Sequence, residues 1–340
     1  MTRKKNVLIG ALVLIVASVA GCNPQDTAPG QPTPAPTATP TTPAVTATPA
    51  ATTVPIDRES KIPAGAIKMT PKLDELPPKS ESQEYHDPIP LPYPINTAGG
   101  EDSAFILPDG GTLYFWFTPD VSIPPEKQLL DGVTGIYVSH KSGDSWSEPE
   151  KVWLQDANKL ALDGCAFVKD DVMWFCSARE GYAGLNWFTA EFDPTTGTWR
   201  DWSAVDFPAE WEVGELHIHG DELYFHSYRD GGSGGLDIWV MKKDAAGNWM
   251  EPENVEAVNS ERDEGFPAVS PDGQELWLYC DYSLWRSKKV YGEWTEPELM
   301  ISSLAGEASI DDQGNLYFTH HFFENDEMIE ADIYVAYKKR

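Results

Sequence analysis

Phe225 to Cys280 reads FHSYRDGGSGGLDIWVMKKDAAGNWMEPENVEAVNSERDEGFPAVSPDGQELWLYC and holds one complete copy of a pattern that recurs on both sides of it. An aromatic run ends in the glycine-rich turn DGGSGG, LDIWVMKK follows and ends at DAAGNW, and EPENV leads on until SPDG restarts the cycle. Apolar and polar residues alternate within the runs, and Gly, Asn, Asp and Pro stand between them. The stretch therefore predicts antiparallel strands joined by tight turns, not helices.

Working outward, the run after each acidic turn recurs as LYFWF from Leu113, MWFCS from Met173, LYFHS from Leu223, LWLYC from Leu276 and LYFTH from Leu316. The copies stand 60, 50, 53 and 40 residues apart, near the periods of about 40 to 50 that mark propeller blades. A second run recurs as GIYVSHK, LNWFTAE, LDIWVMKK, LWRSKK and ADIYVAYKK. A Gly-x-Trp or related turn then opens an outer segment four times, at Gly143, Gly197, Gly247 and Gly292, with Trp146, Trp199, Trp249 and Trp294 read as core. The fifth copy stops at Arg340 without one. DPIPLPYPINTAGGED (Asp87 to Asp102) aligns with EPENVEAVNSERDEG (Glu251 to Gly265), so the N-terminal segment is expected to supply the missing outer strand and cover two open edges. The predicted fold is an all-β, five-bladed β-propeller over residues 85–340, closed by an N-terminal strand.

GGSGGLDIWVMKK followed by EGFPAVSPDGQELWLY resembles the TolB-type, WD40-like β-propeller repeat, whose hallmark is the Ser-Pro-Asp-Gly turn between the first two strands. The fourth copy carries SPDG intact, the first has LPDG and the fifth IDDQG, while the second and third keep only KDD and HGD. The resemblance implies the fold over residues 85–340. It does not imply one function, since such propellers serve as binding modules, envelope components and appendages to enzymes.

Arg3, Lys4 and Lys5 precede an apolar run from Val7 to Ala20, shorter than the roughly 20 residues a membrane-spanning helix needs. Residues 1–21 read as a secretory signal. Val19-Ala20-Gly21-Cys22 resembles a bacterial lipobox, which implies lipidation at Cys22; an ordinary signal peptide cut near Ala20 is the alternative. Residues 22–56, rich in Pro, Thr and Ala, have too little apolar bulk to order and read as a linker whose threonines offer sites for sugars. Residues 57–84 read as an irregular lead-in. The expectation is an extracytoplasmic monomer that meets the membrane only through its lipid anchor.

The chain carries a net charge of −29. Residues 1–56 hold three bases and one acid, leaving 22 bases against 53 acids, or −31, in the remainder. That balance opposes nucleic acid and anionic membrane surfaces and suits cations, neutral polymers or basic partners. It is also what a solvated acidic surface looks like. If Lys169 and Val172 close a two-residue Asp170-Asp171 turn, Cys165 and Cys176 lie opposite each other within disulfide reach; buried free thiols are the alternative. Cys280 reads as core.

Before each SPDG-like turn stands an acid beside a glycine: Glu101 and Asp102 after Gly100, Asp163 before Gly164, Glu215 after Gly214, Asp263 and Glu264 before Gly265, and Glu307 after Gly306. A propeller puts these positions at one mouth of its channel, where a ring of at least five carboxylates would raise one another's pKa values unless a ligand compensates. Calcium suits such oxygen ligands, and His217 with His219 beside Glu215 suits a transition metal. Purely structural hydrogen bonding at blade junctions is the competing reading. Two functions follow. One is a non-catalytic propeller that recognises a protein or glycan at the mouth. The other is a glycoside hydrolase similar to five-bladed arabinanases, with Glu101 or Asp102 as base, Asp163 as pKa modulator and Glu215 or Glu264 as acid.

Overall fold

The computed structural model describes residues 57–340. The expected signal segment 1–21, Cys22 and the linker 22–56 lie outside the described residues. Among the described residues helix is confined to Pro125–Gln128 and two 3-10 turns, Arg58–Lys61 and Ala209–Trp211. Among the described residues no helix is long and apolar enough to cross a membrane.

The repeats fold as antiparallel meanders. The first runs through Gly100–Ile106, Thr112–Thr118, Gly135–Ser142 and Glu150–Lys151, and the second through Ala161–Lys169, Val172–Arg179, Asn186–Asp193 and Thr198–Ala204. The third uses Leu216–His219, Glu222–Ser227, Asp237–Lys242 and Glu253–Asn254, and the fourth Glu264–Val269, Glu275–Cys280, Ser283–Val290 and Glu298–Ser302. The fifth consists of Ala305–Ile310, Leu316–Glu324 and Glu327–Ala336. Its outer partner comes from the other end of the chain, where Ile89 pairs with Val335 and Pro90 with Tyr334. Proline suits this place because an outermost strand need not donate on both sides.

Hydrogen bonding sorts the strands into four sheets, none closed on itself; the largest joins the fifth and first meanders through one parallel pairing, Ala331 with Gly100. The first strands of successive meanders pack side by side, and that of the fifth packs against that of the first. The apolar side chains follow the same order. Tyr114, Phe175 and Phe188 fill the space between first and second meanders, Trp187 and Phe225 that between second and third, and Tyr224 and Leu276 that between third and fourth. Trp277 and Phe318 join fourth to fifth, and Phe115 and Tyr317 join the first to the fifth. The architecture is all-β and propeller-like, with its core divided among junctions. Each large buried side chain contributes roughly 1.5–3 kcal/mol there.

The SPDG turn shows why its residues recur. Gly273 has φ +71° and donates to the Ser270 carbonyl at 2.8 Å, while Asp272 accepts from the Ser270 hydroxyl at 2.6 Å. A side chain at Gly273 would lie 2.4 Å from the His219 ring. A second local device matters more for the site. Pairing slips between Asp102 and Phe105, Gly164 and Phe167, Gly265 and Ala268, and Gly306 and Ser309. At each slip one residue is left-handed: Ser103, Cys165, Phe266 and Glu307, with φ between 50° and 54°. These β-bulges turn that residue out of the ladder and re-aim it.

The lead-in, residues 57–84, is irregular but pinned. Arg58 is only 2% exposed, pairs with Glu101 at 3.1 Å, donates to the carbonyls of Pro94 and Ile95, and lies 4.8 Å over the Phe117 ring. Lys68 pairs with Glu330 at 2.6 Å and with Asp332, Asp74 meets His320 at 3.0 Å, and Lys79–Ser80 adds to the strand Glu298–Ser302. The aligned segments Asp87 to Asp102 and Glu251 to Gly265 share a side-chain clamp. Asn96 brackets Ile333 through its N–H and carbonyl as Asn259 brackets Ile238. Thr97 donates from backbone and hydroxyl to Glu101 as Ser260 does to Glu264.

Candidate functional site

Successive side chains of a strand face opposite ways, so the adjacent acids Glu101 and Asp102, and likewise Asp263 and Glu264, cannot share one surface. Glu101 is fully buried, held by Arg58 and Thr97. Asp163 is buried against Arg179 at 2.7 Å and accepts from the Ser177 hydroxyl at 2.6 Å. Glu264 is buried in the Ser260 clamp, with the Cys280 sulfur at 3.4 Å. These three brace the junctions instead of lining the mouth. The expected ring of five narrows to Asp102, Glu215 and Glu307, which face a cavity of about 710 Å³. Asp263 lies at its edge and accepts the Leu236 N–H at 2.9 Å.

The cavity opens among the bulges and the loops above them. Trp116, Trp187, Phe207, Tyr228, Phe266 and Tyr279 give it aromatic walls. Gln128, from the short helix Pro125–Gln128, also lines it. Four buried polar atoms here have no hydrogen-bond partner in the protein: Trp116 Nε1, Gln128 Nε2, Tyr279 OH and Glu307 Oε2. Buried polar groups are normally paired, so this concentration marks a surface prepared for something else to meet.

A smaller space of about 50 Å³ adjoins it, sharing Cys165, Glu215 and Glu307 and lined further by Phe105, Phe167 and His217. His217 packs 4.6 Å from the Phe167 ring, and its Nδ1 accepts the Val269 N–H at 3.4 Å. Burial holds its imidazole down at about 3, so it is neutral. His219 points elsewhere, 3.3 Å from the Pro271 carbonyl. The two do not converge on one metal position, and among the described residues no three His, Cys, Asp or Glu side chains are placed to hold a metal ion.

Cys165 and Cys176 are joined as a disulfide with a Cα–Cα distance of 5.5 Å. Asp170 and Asp171 form the two-residue turn in left-handed conformation, with Lys169 opposite Val172. The residue opposite Cys176 is Gly164, not Cys165, because the bulge at Cys165 moves the register by one. The bridge lines the cavity, and the Cys165 sulfur lies 3.5 Å from Glu215 Oε1.

Among the carboxylates that line the cavity, Asp102, Glu215 and Glu307 are held in different states. Burial, then the charge of Asp102, push Glu215 up to about 8. Burial and the charges of Asp102 and Glu215 push Glu307 well above the usual carboxylate range. Burial also acts to raise Asp102, but hydrogen bonding to His321, that residue's charge and the Ser103 N–H outweigh it and hold Asp102 low. At neutral pH Asp102 is therefore ionised, Glu215 at about 8 keeps its proton, and Glu307 is shifted in the same direction as Glu215. His226, on the third wall, is neutral because burial lowers it to about 4.

No known family model matches the chain, and no curated protein matches it significantly. Solved structures that resemble it include the Bacteroides ovatus xyloglucan PUL GH43B, at 14% identity and a TM-score of 0.43 over 76% of this chain and 53% of that one. The chain thus spans about half the length of that protein. A gluconolactonase from Xanthomonas campestris matches at 12% identity and a TM-score of 0.42 over 77% of this chain and 95% of the other. A putative TolB from Agrobacterium tumefaciens matches at 13% identity and a TM-score of 0.37 over 72% and 92%. At these scores the likenesses carry no argument about activity.

What sequence reasoning missed is the wall. Trp116, Cys176, His226 and Tyr279 share the fourth place of the recurring run that begins LYF, MWF or LWL, and all four line the cavity. The first three places repeat because they pack in the core, whereas the fourth varies and in four of the five copies faces the cavity; Thr319, in the fifth, is buried away from it. That contrast was available in the sequence.

Proposed function

We propose that the chain is a five-bladed β-propeller of the TolB type, closed by its N-terminal strand, that binds a carbohydrate at the channel mouth. A lipid on Cys22 and the linker would hold it outside the cytoplasm as a monomer. One observation carries the reading: a roughly 710 Å³ cavity with aromatic walls, acidic groups, two unpartnered buried N–H donors and one unpartnered hydroxyl. Sugars present apolar ring faces to aromatic side chains and hydroxyls to convergent polar groups, and cavities of about 300–1,000 Å³ suit small ligands. A glycan array followed by calorimetry with Trp116→Ala and Tyr279→Phe tests it. Binding to at least one saccharide, weakened roughly tenfold or more by Trp116→Ala, is expected; no saccharide bound at millimolar concentration would reject it.

A second reading, glycoside hydrolysis, is favoured by the split in proton affinity. Glu215 keeps a proton it can give to a leaving oxygen while Asp102 stays ionised to act as base, the pairing that general acid–base chemistry needs. Hydrolysis of a bound saccharide, abolished by Glu215→Gln with binding retained, would establish it.

A further inference from the structure

We infer that the ligand is an amino sugar, a carbohydrate bearing a free ammonium group, seated with its amine among Asp102, Glu215 and Glu307. This rests on the carbohydrate reading and specifies it. Five carboxylates line the cavity, Asp102, Glu212, Glu215, Asp263 and Glu307, and no lysine or arginine does. Elsewhere in this protein buried acids are answered either by bases, as Glu101 by Arg58, Asp163 by Arg179, and Glu330 and Asp332 by Lys68, or by N–H and hydroxyl donors, as Asp237, Glu264 and Asp311 are. Glu307, with an unpartnered oxygen, has neither a base nor a full set of donors.

The positive charge available to the cavity acids is small. His321 stands 3.6 Å from Asp102 and supplies no more than one charge to three carboxylates. His226 is neutral. Glu307 Oε2 has no partner, and the Cys165 sulfur beside Glu215 belongs to a disulfide and has no proton to donate. Close uncompensated carboxylates in a partly dry site retain protons at a cost that an opposite charge removes. An ammonium placed among them donates up to three charge-assisted hydrogen bonds, and aromatic faces add attraction for a cation.

The remaining groups decide between cations. Tyr279 is 5% exposed and Gln128 2% exposed, and both carry an unpartnered polar atom into the cavity, as Trp116 does. A bare alkylamine leaves these groups unmet. A pyranose ring with hydroxyls meets them and lays its carbon face on the aromatic walls.

Titration calorimetry on the full chain at pH 7 would compare a glucosamine trisaccharide, its N-acetylated counterpart, a glucose trisaccharide and ethanolamine. The glucosamine trimer is expected to bind at least about tenfold tighter than either neutral trimer, a difference one charge-assisted contact supplies. Binding should release protons, seen as a heat that depends on the ionisation enthalpy of the buffer. Glu307→Gln, nearly isosteric with the protonated side chain, should reduce that preference to below about threefold, with unchanged thermal unfolding confirming its fold. Equal affinity for charged and neutral trimers would overturn the inference and leave the carbohydrate reading standing. Ethanolamine binding as tightly as the trimer would overturn it in favour of a general amine site. Absence of binding by all four would overturn it together with the carbohydrate reading itself.

Discussion

Arg58→Met tests how the N-terminal lead-in holds the domain. Arg58 and Glu101 are 2% and 0% exposed, and the guanidinium also donates to the Pro94 and Ile95 carbonyls and lies over Phe115, Phe117 and Tyr137. Methionine keeps much of the packing but leaves Glu101 facing only Thr97. Removing one partner of a buried pair costs about 3–5 kcal/mol, which at about 2 °C per kcal/mol in a domain of this size lowers Tm by about 6–10 °C. Burial already raises the Glu101 pKa, with Arg58 opposing that rise. Without Arg58 the folded state holds its proton more tightly than the unfolded state does, so stability falls as pH rises above the unfolded value near 4.3. The deficit should therefore be larger at pH 8 than at pH 5, and Glu101→Gln in the Arg58→Met background should recover part of it. Calorimetric unfolding at both pH values reads this out. A Tm within 1 °C of the parent, or an equal deficit at both pH values with no recovery by Glu101→Gln, would refute the reasoning.

Deleting residues 85–98 removes the outer strand of the fifth meander and the Asn96–Thr97 clamp; broadened unfolding at a markedly lower Tm is expected, and unchanged thermal stability would reject the closure. Reducing the Cys165–Cys176 bridge, whose residues are 11 apart, should cost on the order of 3 kcal/mol by loss of loop constraint, measurable as a shift in urea midpoint. Glu215 is pushed up to about 8, so it opposes folding progressively as pH rises toward 8. Glu215→Gln should therefore flatten the fall in Tm between pH 5 and 8, and a parallel pH profile would contradict its placement.

The strands and turns were legible because they follow from local patterns: alternation, acidic turns, and glycine where φ is positive. The missing outer strand was legible too, since Asn96 and Glu101 repeat the spacing of Asn259 and Glu264. The site was legible only in outline. Reading Glu101 and Asp102 as one surface overlooked strand alternation, which sends the first to Arg58 and the second to the cavity. The bulges that aim Glu307 outward leave no composition signature, because Ser103, Cys165 and Phe266 take the same left-handed conformation with unrelated side chains. Gln128 and Phe207 reach the cavity from connections that do not repeat, so no period could find them.

The clamp at the seam between the ends has a further consequence. Its Asn–Glu geometry copies that of the clamp between the third and fourth meanders, so the fifth-to-first junction is held by the same kind of side-chain bracket although no loop of chain links its two sides there. The Lys339 N–H already bonds the Glu84 carbonyl at 2.7 Å. Connectivity is thus largely separable from architecture in this chain: circular permutants opened at another exposed turn would inherit the same neighbours, and the order in which the repeats are encoded need not be the order in which the meanders dock.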